Sequence, residues 1–142
     1  MSLTQVIMSF FGTVGFSIIF NVPKRELIFC GIIGCLGWIL YLILEANNGY
    51  ILATLCAAAI VTALSRCMSV IRKNPVTLYL IPGIIPLVPG AGIYFTMFHI
   101  VMGEYMYAAL QGIETLARAG TISLGLLIIL SLPLKLFTIY TK

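Results

Sequence analysis

Aspartate is missing altogether from this 142-residue sequence, and charged residues of every kind make up only 8% of it. There is one histidine, His99, and one tryptophan, Trp38. Without aspartate there is no paired-aspartate site. The sequence also has no H-E-x-x-H, no G-x-S-x-G and no P-loop, and a lone histidine assembles no recognised hydrolase by itself. An intramembrane enzyme is therefore set aside. A soluble domain carries about 25% charged residues. This chain is 61% hydrophobic with a mean hydropathy of +1.14, so it has too little polar surface to cover a globule. It reads as an integral membrane protein.

The four cysteines, Cys30, Cys35, Cys56 and Cys67, match no zinc or redox spacing. Three lie in apolar runs, where cysteine acts as a small hydrophobe. No metal and no cofactor is expected. The net charge of +4 is no nucleic-acid signal, because the basic residues are scattered between apolar runs.

What is present is a series of apolar segments. A helix needs about 20 residues to cross the hydrocarbon core, and five stretches come close. They run from Leu3 to Asn21, Leu27 to Glu45, Tyr50 to about Arg66, Val76 to about Val101, and Thr121 to Tyr140. The expected fold is all-α, a single transmembrane domain over residues 1–142. It is a polytopic helix bundle of about five spans whose fourth helix is broken by proline and glycine. The N-terminal stretch has no basic leader and no A-x-A site, so it is expected to be a retained span. Lys24 and Arg25 follow span one, Arg66, Arg72 and Lys73 follow span three, and Lys142 follows span five. The loop "EANNGY" has no basic residue. This alternation puts the N-terminus outside and the C-terminus in the cytoplasm. Five spans are preferred over four spans with a re-entrant proline segment. Residues 104–118 mix apolar and polar positions. They read either as a short helix at the outer interface or as an extension of span four. Gly31, Gly34 and Gly37 in span two, and Ala53, Ala57, Ala58, Ala59 and Ala63 in span three, suit close helix packing in lipid.

The segment "IPGIIPLVPGAGIYFTM", residues 81–97, places Pro82, Pro86 and Pro89 beside Gly83, Gly90 and Gly92 in the middle of an apolar run. Each proline removes a helical hydrogen bond, and the residue before it is pushed towards extended geometry. Backbone groups freed in this way cannot face lipid. Span four is therefore expected to break between about Pro82 and Gly92, against protein or a watery cavity, as transporters break helices at substrate sites.

With "FNVPKREL", residues 20–27, this segment resembles the threonine/serine exporter family. The likeness follows most of the chain in order, ending in "GLLIIL" of the last span. Within that family it resembles the short subunit type, equivalent to the C-terminal half of the fused exporters. The resemblance implies proton-driven export of small hydroxy amino acids across a bacterial inner membrane. It also implies a larger membrane partner subunit, hence an oligomer in the lipid bilayer. A dicarboxylate substrate such as succinate and a non-transporting scaffold remain alternatives. The motif positions carried over as the substrate region are Pro82, Gly83, Pro86, Pro89, Gly90 and Tyr94, together with Asn21 and Pro23. Their assigned parts are a backbone cradle, a hydrogen-bond donor at Tyr94 and an amide contact at Asn21. His99, Glu104 and Glu45 are the proton-coupling candidates. Lys135 is expected to snorkel from the last span, while Arg72 and Lys73 are accounted for by topology.

Overall fold

The computed structural model describes residues 3–133, except the side chains of residues 47 and 48. Among these residues there are helices and turns and no strand. The helices are α1 (Leu3–Ile19), α2 (Leu27–Ala46), α3 (Gly49–Arg72), α4 (Thr77–Ile84), α5 (Gly90–Val101) and α6 (Tyr105–Leu130), with a 3₁₀ turn at Ile85–Leu87 between α4 and α5. By length and composition α2, α3 and α6 are each able to cross a membrane. The pair Thr77–Leu87 and Gly90–Val101, bent by 52°, makes a fourth, broken span. Helix α1 has 17 residues, roughly 26 Å at 1.5 Å per residue, and falls just short of a full crossing.

Helices α2 and α3 fold back on each other at Gly49, whose φ of 78° needs glycine. Gly37 then lies against Val61 and Ala57 across the hairpin. Helix α1 packs on α2 where Gly31 meets Phe10 and Val14, and where Gly34 meets Thr13. Helix α6 runs along α3. A methyl on Gly125 would stand 2.8 Å from the Leu55 carbonyl and 2.9 Å from Ala58. The seams also hold hydroxyls. Thr13, Ser17, Thr62 and Ser65 are buried and bond to the carbonyl four residues back on their own helix, so none of them needs a partner across the interface.

Three helix ends turn through a left-handed residue. Asn21 (φ 55°) closes α1, with Val22 N–H donating to the Ser17 carbonyl. Lys73 (φ 54°) closes α3, and Gly103 (φ 77°) closes α5. The end that carries Lys24, Arg25, Arg72 and Lys73 is called the basic end below.

Two expectations are corrected. Residues 104–118 are neither a separate interface helix nor an extension of the fourth span. They form the first half of α6, which runs without a break to Leu130. The last span thus starts about four turns earlier than Thr121, and its Arg118 pairs with Glu114 on the same helix and reaches Tyr41 on α2. Its expected end at Tyr140, with Lys135 and Lys142, lies outside the described residues. Arg66 is not in a loop after span three. It is buried within α3 and donates to the carbonyls of Ile129 and Leu130, capping α6.

The break itself is narrower than expected. Pro82 stays inside α4. It deprives the Leu78 carbonyl of its helical donor, and the Cys30 thiol donates to that carbonyl instead at 3.5 Å. Helical structure is lost only after Ile84. Pro86 sits in the 3₁₀ turn, Val88 before Pro89 is extended (ψ 129°), and α5 restarts at Gly90.

At the basic end Glu26 is 6% exposed and joins three helices. Arg72 donates to both its oxygens, with the shortest contact 2.7 Å. The Tyr79 hydroxyl donates to it at 2.8 Å, and Asn74 donates to that hydroxyl at 3.0 Å. The Arg72 guanidinium above all holds the Glu26 carboxyl below 4.5, burial opposes this, and Tyr79 adds to the lowering. Because the folded value is depressed, the clamp's contribution is whole above pH 4.5 and is lost as pH falls through the lower native value. Tyr79→Phe removes one hydrogen bond to a charged group and is expected to cost about 2 kcal/mol. Thermal unfolding of the solubilised protein checks this. Acidification should destabilise the wild type more than Glu26→Gln.

Candidate functional site

A cavity of about 280 Å³ lies beside the break. One wall is main chain from Pro86 to Gly92. Helix α2 supplies Trp38 and Tyr41, α3 supplies Thr54, and α5 supplies Phe95. Helix α6 supplies Gln111, Glu114, Thr115 and Arg118. The sequence explains the close approach. Gly92 has no side chain, and a methyl there would strike the Thr115 hydroxyl. Gly112 likewise lies beside Thr96. Helices α5 and α6 form a tight antiparallel hairpin, and the first turn of α5 is held against the cavity.

The charged groups form one chain. Arg118 donates to Glu114 at 2.7 Å, four residues apart on α6. It also reaches the Tyr41 hydroxyl at 3.4 Å and stacks 4.7 Å over the Tyr50 ring. Tyr41 in turn donates to Glu45 at 2.5 Å. Trp38 stacks on Tyr41 with ring centres 5.2 Å apart, and its indole N–H is buried with no hydrogen-bond partner. Ala91 and Gly92 occupy the first turn of α5 and line the same space, where helical N–H groups have no carbonyl within the helix. The cavity therefore offers a guanidinium for a carboxylate, a carboxylate for an ammonium group, and main-chain N–H donors for an oxygen.

The residues expected from the motifs are divided. Pro86, Pro89 and Gly90 line this cavity. Gly83 is packed against Ile33 and Val61 at 3.1 and 3.2 Å from where its Cβ would be. Pro82 and Asn21 border a different cavity of about 320 Å³, nearer the basic end, with Phe20, Val22 and Ile81. Asn21 also has a conformational task, since its left-handed backbone ends α1. Pro23 opens the turn into α2, its carbonyl accepting from Glu26 N–H. Tyr94 is 63% exposed, stacks on Phe98 and does not line the cavity. His99 does have a partner. Its Nδ1 lies 2.6 Å from Glu104 at the far end of the α5–α6 hairpin. Glu45 reaches the cavity only through Tyr41.

Sequence reasoning missed Glu114, Arg118, Gln111, Tyr41 and Trp38 as a group. The signal was available in the spacing of Glu114 and Arg118, which suits an ion pair on one helical face. Assigning that stretch to the interface hid it. Among the described residues no group of three or more His, Cys, Asp or Glu could hold a metal ion.

Residues 5–132 match the family model described as "Threonine/Serine exporter, ThrE". The chain belongs to the threonine/serine exporter family. It is also 32% identical over 89 residues to a Haemophilus influenzae protein named only as uncharacterized. That alignment covers 62% of this chain but 30% of the relative. No solved structure matches. The family membership and the apolar helices together make this a multi-pass membrane protein of an exporter family.

In an exporter the cavity should be wet. In a background with all four cysteines replaced by alanine, Gln111→Cys is expected to react rapidly with a membrane-impermeant thiol reagent. Leu116→Cys, on α6 and absent from the cavity wall, should react much more slowly in the bilayer. Equal slow rates would mean a dry cavity.

Proposed function

We propose that this chain is a membrane subunit of a secondary exporter of small threonine- and serine-type amino acids. It is driven by the proton gradient and works with a larger membrane subunit of the same family. The location proposed is the bacterial cytoplasmic membrane. The basic end faces the cytoplasm, with the N-terminus outside and the C-terminus inside.

The observation that carries the substrate class is the charge balance of the cavity wall. It holds one guanidinium, Arg118, and one carboxylate, Glu114, paired at 2.7 Å. A zwitterion meets both with opposite charges. A dicarboxylate would need a second cation, and none lines the cavity. The main-chain donors at Ala91 and Gly92 suit a carboxylate or hydroxyl oxygen. The volume of about 280 Å³ suits a small metabolite. Pro86, Pro89 and Gly90 then act through the main chain they free. Asn21, Pro23, Pro82, Gly83 and Tyr94 are assigned to the conduit and its hinges rather than to direct contact.

Two facts support a partner. Among the described residues, helix α5 has no buried residue and packs chiefly on α6. The relative from Haemophilus influenzae is much longer than this chain. A second subunit closing over the α5–α6 hairpin would complete the wall of the cavity. A family of exporters makes an enzymatic role the poorer reading.

The test is efflux from proteoliposomes loaded with labelled threonine or labelled succinate, with acid outside. With both subunits present, threonine should leave and succinate should stay. Succinate efflux would transfer the assignment to dicarboxylates. Full threonine efflux with the larger subunit alone would reduce this chain to a scaffold.

A further inference from the structure

The sequence contains four acids, and the structure gives each a partner. Glu26 is clamped by Arg72 at the basic end. Glu104 pairs with His99 at the far end of the hairpin. Glu45 is held by Tyr41 and stands behind the cavity wall. Of the four, Glu114 alone lines the cavity, and its side chain is 40% exposed while it holds Arg118.

Resting on the zwitterion reading above, we propose that Glu114 is the coupling residue of the exporter, binding either a proton or the substrate's ammonium group but never both. When Glu114 is ionised, substrate lies across the pair, with its carboxylate on Arg118 and its ammonium on Glu114. When a proton adds to the Glu114 carboxylate, the negative charge that held the ammonium is gone and the substrate leaves. Proton and substrate therefore occupy the site in turn, which is the condition for exchange of one for the other. Acid on the outer side unloads the site, and the less acidic cytoplasm reloads it.

The surroundings of Glu114 fit this exclusive use. Gln111, Thr115 and Arg118 flank it on its own helix. Helix α2 presents Tyr41, with Glu45 behind it, and α3 presents Thr54 and the Tyr50 ring over Arg118. Helix α5 presents Phe95 and main-chain N–H groups and no ionisable side chain. Arg118 keeps a second contact, to Tyr41 at 3.4 Å, and so stays in place when Glu114 is neutral. The second carboxylate, Glu45, stands behind Tyr41 and does not line the cavity, so Glu114 is the one carboxylate that a proton entering it meets.

The experiment uses the two-subunit complex in proteoliposomes and labelled threonine, measuring exchange and gradient-driven efflux from about pH 4 to about pH 8. For the wild type, competition by one proton raises the KM for exchange as pH falls, approaching about tenfold per pH unit at the acid end, at constant maximal rate. Glu114→Gln should raise KM by roughly tenfold or more. It should also make KM independent of pH and abolish uphill efflux. Glu114→Asp should restore the pH dependence with a shifted midpoint. If Glu114→Gln keeps the pH-dependent KM and uphill efflux, the proposal is overturned. If the Gln variant does not assemble, an unmoved midpoint in Glu114→Asp overturns it equally. Absence of threonine exchange in the wild-type complex would instead refute the substrate reading beneath it.

Discussion

In hydrocarbon each unpaired backbone group costs several kcal/mol, and prolines at 82, 86 and 89 remove three donors from a single span. The rest of the molecule is arranged around where the freed groups go. At Pro82 the answer is local: the Cys30 thiol of α2 takes the Leu78 carbonyl, and the helix continues. From Ile85 to Pro89 the repair is by tighter turns: Ile85 N–H donates to the Pro82 carbonyl and Val88 N–H to the Ile85 carbonyl, the α-helix stops, and the span bends by 52°. The bend carries α5 away from the α1–α4 bundle, so that its only substantial neighbour is α6. The wedge between the bend and α6 is the cavity. The same backbone constraint therefore creates the space and lines it with donors.

The charges follow a related economy. Each of the four acids is held by a named partner: Arg72, Tyr41, His99 or Arg118. The Glu26 clamp ties the starts of α2 and α4 to the end of α3, while the cavity lies at the other side of the break. In this arrangement the basic end is fastened and the wet space opens away from it. The clamp thus stands at the start of the broken span and the cavity at its break.

The outline of the fold was legible because hydropathy and helix length suffice for it. The apolar segments beginning near Leu3, Leu27, Tyr50 and Val76 all became helices, and the proline segment broke. The limits of α6 were not legible. Its first half carries Gln111, Glu114 and Arg118, and polar residues on a helix in lipid look like an interface until their partners are known. Those partners lie on α2, and the Arg118–Tyr41 contact spans 77 positions of sequence. The Glu26 clamp was hidden for the same reason, since Arg72 and Tyr79 are distant in sequence and Arg72 was already explained by topology. Proline positions also carried less local detail than their number suggests. Of the residues before Pro82, Pro86 and Pro89, only Val88 left the helical region. Of the motif residues, Pro86, Pro89 and Gly90 reached the cavity and Tyr94 did not, since a helix restarting at Gly90 turns position 94 to the outside.

The central claim is that the main chain leaves helical hydrogen bonding between Ile85 and Gly90 and meets water there. Amide hydrogen exchange in lipid nanodiscs, resolved by residue, tests it most directly. The N–H groups of Ala91 and Gly92 should exchange fast, while those of Ile81 in α4 and of the middle of α5 stay protected. Uniform slow exchange from residue 77 to 101 would contradict the account.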